Sequence, residues 1–314
     1  MAEITARLIW KDPLPTEKTY ADNYFFVDSF GILKAHPNGR YHSTARSKKT
    51  GAIIYDVTYS VDSYSRRITP ASNPELRNKH LLFFGCSFTY GEGLEDDQTI
   101  PAQVAMRAQH YMPYNYAFHG HSPSEMLAKM GSKTLKNEIK EKEGTLIYIF
   151  FDSHIQRVIG SMRIAASWGK NCPYYYLGPH NEVLRNGNVT TGRLVLSHIY
   201  WLLTKSELLK FLKIDFPPRL TDKHIHLTAR IIEESYRHYK EQFPAGDFYV
   251  VIYPGSEYGT RLVKELSNAG IKTLDYSKIF NPGQSQYVLS PEDLHPSAKA
   301  DEEVAEHLVR DLHL

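Results

Sequence analysis

The sequence predicts an α/β protein in which helices cover both faces of a parallel sheet. After residue 79, apolar runs typical of buried strands alternate with helical segments. The helices have recognisable ends: Thr99 and Pro101 supply a cap and an early proline for one, and Pro244 ends another that begins near His226. Five apolar runs form the predicted sheet, at residues 80–85, 114–120, 145–151, 247–255 and 271–276.

The residues before this sheet have a different pattern. Short alternating apolar and polar runs, such as residues 51–59, are separated by turn-forming residues at 36–39 and by prolines at 70 and 74. This pattern predicts strands and turns. We therefore divide the chain into a β-rich N-terminal extension, residues 1–78, and an α/β region, residues 79–314.

A long segment at about residues 160–222 separates the third predicted strand from the next helix and is too long for a simple connector. The Asn186-Gly187 pair indicates a β-ribbon, and residues 194–212 predict an amphipathic helix that suits a lid, a homo-oligomer surface or a membrane surface. The segment's aromatic residues predict either a groove for sugar rings and acyl chains or a packed hairpin face: Tyr174, Tyr175, Tyr176, Tyr200 and Trp201.

Composition excludes several classes of protein. Lys and Arg number 37 against 35 Asp and Glu, so a net charge of +2 gives no reason to expect nucleic acid or an anionic membrane as partner. Two cysteines cannot build a disulfide framework. The N-terminal residues lack a signal-peptide pattern, and no run reaches the roughly 20 apolar residues of a transmembrane helix. We expect a cytoplasmic protein with no transmembrane segment.

A candidate nucleophile lies where the first predicted strand of the sheet ends. Ser87 follows the apolar run by two residues and is flanked by glycines that permit a tight turn. Ligands of open parallel sheets bind beyond the carboxyl ends of the strands. A serine hydroxyl needs a base held by a carboxylate, and His295 with Asp293 or Glu292 offers such a pair near the C-terminus.

Three sequence blocks resemble those of the SGNH (GDSL-like) hydrolases. They are Gly85-Cys86-Ser87-Phe88-Thr89, Asn115-Tyr116-Ala117-Phe118-His119-Gly120 and Asp293-Leu294-His295-Pro296-Ser297. The resemblance covers about residues 79–314. It implies a three-layer, flavodoxin-like α/β/α SGNH-hydrolase fold with a five-stranded parallel sheet. It also implies that Ser87 is the nucleophile, that Gly120 and Ser87 donate backbone N–H groups to an oxyanion, and that one loop supplies acid and base.

The chain departs from the family pattern at two places. The block after the third strand normally supplies an oxyanion asparagine, but here the sequence is Phe151-Asp152-Ser153-His154, so we expect His154, or else Ser153, to replace it. The acid precedes the histidine by two or three residues in the family, and Asp293 is favoured over Glu292. Asp293 is equally suited to capping a helix that begins at Ser290.

The resemblance implies a carboxylic ester hydrolase with a Ser87–His295–Asp293 triad. We expect it to remove an O-acetyl or short acyl group from a carbohydrate or similar small-molecule ester. Two alternatives remain open, a non-catalytic carbohydrate- or partner-binding module on the same fold and an O-acyltransferase. No cofactor is expected, and His119 and His121 lack the carboxylate or cysteine spacing of a metal site.

Overall fold

The computed structural model describes residues 15–314, in which strands predominate up to residue 60 and alternate with helices from Lys79 onward. The strands are β1 (Thr16–Tyr20), β2 (Phe25–Val27), β3 (Leu33–Ala35), β4 (Arg40–Ser47), β5 (Ile53–Ser60), β6 (Lys79–Phe84), β7 (Tyr111–Asn115), β8 (Gly144–Phe150), β9 (Pro173–Leu177), β10 (Val183–Asn188), β11 (Asp247–Ile252), β12 (Lys272–Asp275), β13 (Val288–Ser290) and β14 (Asp293–Pro296). The α-helices are α1 (Ser87–Tyr90), α2 (Ile100–Arg107), α3 (Pro123–Gly131), α4 (Leu135–Glu138), α5 (Ser153–Ile159), α6 (Met162–Ala165), α7 (Leu194–Leu203), α8 (Glu207–Phe211), α9 (Asp222–Gln242), α10 (Gly259–Asn268) and α11 (Ala298–Leu312).

The central sheet has the order β12-β11-β8-β6-β7, and all of its strands are parallel. Side chains of β6 alternate between two cores: Leu82 and Phe84 pack in the core that includes α9 residues, and Leu81 and Phe83 pack in the core that includes α11 residues. Helices therefore cover both faces, and the predicted α/β fold class with a five-stranded parallel sheet is confirmed.

The second strand of this sheet is displaced from its predicted position. It was expected at residues 114–120, but β7 begins at Tyr111 and ends at Asn115. The Asn115 side chain accepts the N–H of Ala117 at 3.1 Å, and its amide donates to the carbonyl of Thr89 at 3.3 Å. This local turn ends the strand and leads into the loop that contains Gly120.

The N-terminal strands form an antiparallel sheet, β1-β4-β5, beside the β2–β3 hairpin. Their aromatic side chains, including Tyr24 and Tyr59, share one buried cluster with Tyr90 and Phe118 from the α/β region. The β-rich character predicted before residue 79 is present in the described residues. The two parts of the chain pack through this common aromatic core.

The segment predicted at about residues 160–222 contains the antiparallel ribbon β9–β10. Its turn lies at residues 178–182, whereas Asn186-Gly187 lies within β10, where the register shifts. The single helix expected at residues 194–212 is wrong: α7 ends at Leu203, and Ser206 caps α8 by accepting the N–H of Leu209. Most apolar side chains of α7 are exposed, so the helix does not bury one face as an amphipathic helix would.

Within residues 15–314, no helix combines the length and apolar character needed to cross a bilayer. The N-terminal residues considered for a signal peptide, 1–14, lie outside the described residues.

Candidate active site

The structure places Ser87 at the carboxyl end of β6, as the first residue of α1. Gly85 makes the preceding turn possible because its φ is +159° and a Cβ there would collide with the Thr89 side chain. Gly91, with φ +85°, ends α1 in the left-handed region that favours glycine. The flanking glycines thus build the tight turn predicted around the serine.

The loop after Ser87 is held by a buried arginine that precedes the central sheet. The guanidinium of Arg67 donates to the carbonyl oxygens of Tyr90 (2.8 Å), Gly91 (2.6 Å) and Leu94 (2.6 Å) and forms an ion pair with Asp96 at 2.9 Å. Hydrogen bonds from a charged donor are stronger than neutral ones. Arg67 therefore fixes the shape of the backbone that follows the serine.

His295 lies between the serine and a carboxylate. Its Nε2 is 2.9 Å from Ser87 Oγ, and its Nδ1 is 2.5 Å from Asp293 Oδ1, which also accepts the His295 N–H at 3.2 Å. Burial raises the pKa of Asp293, but the nearby His295 and Lys18 outweigh burial and leave that pKa below its ordinary value. His295 is therefore within hydrogen-bond reach of both Asp293, from its own sequence block, and Ser87, from a distant one.

The segment that carries this pair is a short ribbon rather than a helix start. Ser290 Oγ accepts the N–H groups of Glu292 (3.1 Å) and Asp293 (2.9 Å), and β14 then pairs with β13. Asp293 points its carboxylate to His295, and no hydrogen bond links His295 with Glu292. The helix-capping alternative for Asp293 is wrong, because Ser290 ends β13 and Asp293 begins β14, so no helix starts at Ser290.

A second buried carboxylate, Glu92, reaches the same imidazole. Its Oε2 lies 3.3 Å from His295 Nε2 and 2.8 Å from His119 Nδ1, and its Oε1 lies 2.5 Å from Lys18 Nζ. Burial alone would raise the pKa of Glu92, but His295, His119 and Lys18 together hold it well below its ordinary value. Neither Glu92 nor Lys18 stands out in the sequence, although Glu92 lies only three residues after the block that contains Ser87.

Tyrosines of the N-terminal segment complete the surroundings of Glu92. Tyr20 donates to Glu92 Oε1 at 3.0 Å, and Tyr24 lies 3.0 Å from Nε2 of His119. Burial and the Glu92 charge raise the pKa of Tyr20, so the hydroxyl stays protonated and able to donate. The carboxylate is thus satisfied by several donors, as a buried charge requires.

Gly120 adopts φ +74°, and a Cβ at this position would lie 2.6 Å from the Trp168 ring. In the described part of the chain, the N–H groups of Ser87 and Gly120 donate to no other residue. Trp168 belongs to the segment at about residues 160–222 and stacks near Arg157, whose guanidinium is 5.7 Å from the ring centre. Nothing in the sequence around Trp168 indicates that its ring lies against Gly120.

His154 is fully buried at the start of α5. Its Nδ1 accepts the N–H of Phe151 at 3.3 Å and lies 2.6 Å from the Tyr148 hydroxyl. Burial, with Arg157 nearby, holds the pKa of His154 well below its ordinary value, so the ring is neutral. Because Nδ1 accepts from a backbone donor, the hydrogen lies on Nε2, which has no partner among residues 15–314. The Nε2–H is therefore available as a donor, and the oxyanion role of His154 stays a prediction.

Asp152 and Ser153, the other polar residues of that block, have no hydrogen bond with Ser87. The Asp152 carboxylate accepts from the Ser256 hydroxyl and from the N–H of Glu257 at 2.7 Å. Ser153 and Pro217 are among the residues that line a cavity of about 480 Å³. Ser87 and His295 do not line this cavity. The structure gives Ser153, the second substitute considered, no contact with the proposed catalytic serine.

The aromatic residues of the segment mainly pack against other side chains. Tyr175 is buried with Leu127 and Ile231, and Tyr174 and Tyr200 lie on either side of Arg193, each ring centre 5.5 Å from its guanidinium. The packing of these three favours the hairpin-face alternative, whereas Tyr176 and Trp201 are 38% and 47% exposed.

Comparison with known proteins gives similarity in structure only. No family model matches the chain, and no curated protein is similar to it. A member of the lipolytic protein G-D-S-L family from Veillonella parvula is 12% identical, with a TM-score of 0.40, over 74% of this chain and 97% of that chain. A carbohydrate esterase family 2 enzyme with a carbohydrate-binding domain from Corynascus thermopiles is 11% identical, with a TM-score of 0.41, over 95% and 87%.

A further carbohydrate esterase, described as having divergent catalytic and non-catalytic binding functions, is 8% identical with a TM-score of 0.43, over 95% of this chain and 98% of that chain. The chain has an α/β fold built on a five-stranded parallel sheet.

Proposed function

We propose that this protein is a serine esterase that uses Ser87, His295 and Asp293 as a catalytic triad. The observation that carries the proposal is the continuous chain of contacts from Ser87 Oγ to His295 Nε2 at 2.9 Å and from His295 Nδ1 to Asp293 at 2.5 Å. This is the arrangement in which a histidine takes the serine proton while a carboxylate orients the ring and stabilises its positive form.

In the proposed reaction, Ser87 Oγ attacks an ester carbonyl while its proton passes to His295 Nε2. The oxyanion accepts from the N–H groups of Ser87 and Gly120 and from the Nε2–H of His154. His295 then protonates the leaving alcohol, and water activated by the same nitrogen hydrolyses the acyl-enzyme. Both backbone donors, and His154 Nε2, lack a protein acceptor among residues 15–314, which supports their assignment.

The proposed substrate is an O-acetyl or other short acyl ester of a carbohydrate or similar small molecule. Ser87 exposes only 6% of its surface, and the rings of Phe88 and Trp168 lie beside His295 and Gly120. Such a confined nucleophile favours a small acyl group. The near-zero net charge gives no reason to expect a polyanionic substrate.

The test combines turnover with covalent labelling. The purified protein is incubated with p-nitrophenyl acetate, butyrate and octanoate, with a peracetylated sugar, and with a fluorophosphonate probe. We expect labelling and fastest turnover of the acetate, both lost in Ser87→Ala and retained in Ser124→Ala, which replaces another buried serine.

Three outcomes separate the alternatives. A wild-type protein that is neither labelled nor active refutes the esterase proposal and leaves a non-catalytic binding module. Labelling with new ester product only when an acceptor alcohol is added identifies an acyltransferase. Turnover that increases with acyl chain length refutes the short-acyl proposal.

A further inference from the structure

Glu92 approaches the nitrogen of His295 that must accept the serine proton. Glu92 Oε2 is 3.3 Å from His295 Nε2, and Ser87 Oγ is 2.9 Å from the same atom. A carboxylate there attracts a proton onto Nε2, whereas a general base has to offer a lone pair to the hydroxyl. Glu92 by itself would therefore favour the protonated ring and oppose proton transfer from Ser87.

Lys18, in β1, places a positive charge against the same group of atoms. Its Nζ lies 2.5 Å from Glu92 Oε1, 3.0 Å from Asp293 Oδ2 and 3.5 Å from His295 Nδ1. One ammonium and two carboxylates leave a net charge of −1 around the ring, which is the charge that a single carboxylate supplies in a Ser-His-Asp triad. The Lys18 charge thus offsets the second carboxylate.

We propose that Lys18 and Glu92 form a compensating ion pair in which Lys18 is a positioning residue that keeps His295 able to accept the Ser87 proton. This inference rests on the proposed esterase function. It assigns part of the catalytic arrangement to the N-terminal strand β1, which lies outside the residues that carry the family resemblance.

The other described groups around His295 are neutral near pH 7. Burial lowers the pKa of His119, which contacts Glu92 from the loop before Gly120, so that imidazole is uncharged. Burial raises the pKa of Tyr20 and of Tyr55, which donate to Glu92 from β1 and β5. The charges that face the ring are therefore carried by Lys18, Glu92 and Asp293.

The test compares pH profiles of kcat/KM for p-nitrophenyl acetate in Lys18→Met, Glu92→Gln and the double variant. Losing the ammonium favours the protonated ring, so the acid limb of the Lys18→Met profile moves up by about one pH unit or more. Losing the carboxylate moves the limb of Glu92→Gln down. In the double variant the acid limb returns towards the wild-type position. Lys18→Arg keeps the positive charge, so its acid limb stays at the wild-type position.

Matched controls come from ion pairs of similar burial elsewhere. Lys34, whose side chain is 21% exposed against 23% for Lys18, pairs with Asp28 at 2.6 Å. Glu138, 7% exposed against 5% for Glu92, pairs with Lys129. Lys34→Met and Glu138→Gln remove comparable ion pairs that do not include His295, and we expect neither to move the acid limb.

A second readout does not need turnover. The imidazole signals of His295, assigned by comparison with a His295→Gln variant, are followed by ¹H–¹⁵N NMR across the same pH range, and thermal unfolding checks that each variant is folded. Opposite shifts for Lys18→Met and Glu92→Gln support the proposal. Unmoved signals, or shifts no larger than those of the controls, overturn it. If Lys18→Met does not fold, Glu92→Gln and the double variant decide. If the wild type is inactive but the two variants still shift the His295 signals in opposite directions, the esterase function is refuted and the charge compensation around His295 is not.

Discussion

Replacing Asp293 with asparagine removes a charge but almost preserves the shape of the side chain. In the native site, Asp293 Oδ1 is 2.5 Å from His295 Nδ1, and Oδ2 is 3.0 Å from Lys18 Nζ. The Lys18 ammonium can only donate, so we expect the amide oxygen to stay beside that charge, which turns the NH₂ group towards His295 and gives up the bond from the His295 N–H. Nδ1 must then accept, the ring hydrogen moves to Nε2, and no lone pair remains for Ser87.

We expect kcat of Asp293→Asn to fall by about 10³- to 10⁴-fold. At 1.36 kcal/mol for each factor of ten, this corresponds to about 4 to 5.5 kcal/mol of lost transition-state stabilisation. Glu292→Gln is the matched control, since Glu292 is the adjacent carboxylate and has no hydrogen bond with His295. Its kcat should stay within about twofold of wild type.

The assay is steady-state hydrolysis of p-nitrophenyl acetate between pH 6 and 10, with near-ultraviolet circular dichroism to show that both variants are folded. A folded Asp293→Asn that kept more than about one tenth of wild-type kcat would contradict the tautomer argument. A larger loss in Glu292→Gln than in Asp293→Asn would identify Glu292 as the orienting acid instead.

Three further predictions concern the surroundings of the site. Gly120→Ala places a Cβ against the Trp168 ring at a strained φ, so fluorophosphonate labelling should slow by about tenfold or more. If a Gly120→Ala/Trp168→Ala double variant labels no faster than Gly120→Ala, the collision with the Trp168 ring is not the cause. Arg67→Met removes the donor to three carbonyls and to Asp96, so we expect the free energy of unfolding in urea to fall by about 3 to 5 kcal/mol. A loss below about 1 kcal/mol would contradict the argument that Arg67 fixes the loop after Ser87. Burial raises the pKa of Asp301 well above its ordinary value, so its contribution to stability is complete below about pH 4 and is lost as pH rises through the raised pKa. Relative to Asp301→Asn, wild type should therefore lose unfolding free energy from pH 4 to pH 9, and parallel curves would contradict this.

The parallel sheet could be predicted because each central strand is buried on both faces and therefore appears as a continuous apolar run. The positions of Ser87, Asp293 and His295 could be anticipated for a different reason, since they lie in short blocks that resemble those of a known family, and only the serine block follows a strand of the central sheet. Strand ends were less certain: the turn at Asn115 depends on a side-chain bond to Thr89, 26 residues away.

Lys18 could not be recognised from the sequence. It lies in an alternating strand, where a lysine is usually solvated, and its partners are 74 and 277 residues away, at Glu92 and His295. α7 shows the opposite difficulty, because its apolar composition predicts burial while Leu194 and Val195 are 65% and 77% exposed. Local composition does not reveal which surfaces the fold brings together.

The loop after Ser87 explains why the N-terminal segment cannot be treated as an appendage to the central sheet. Arg67 binds the loop's carbonyls, Lys18 pairs with its carboxylate at Glu92, and the Tyr59 hydroxyl accepts the N–H of Gly93 at 2.9 Å. A Cβ at Gly93 would lie within 3 Å of Tyr55, so the loop and the segment are in direct contact. The same loop holds Glu92 beside His295, so the N-terminal strands form part of the surroundings of that imidazole. The segment therefore belongs to the proposed catalytic arrangement, because it supplies Lys18 to the group of charges around His295.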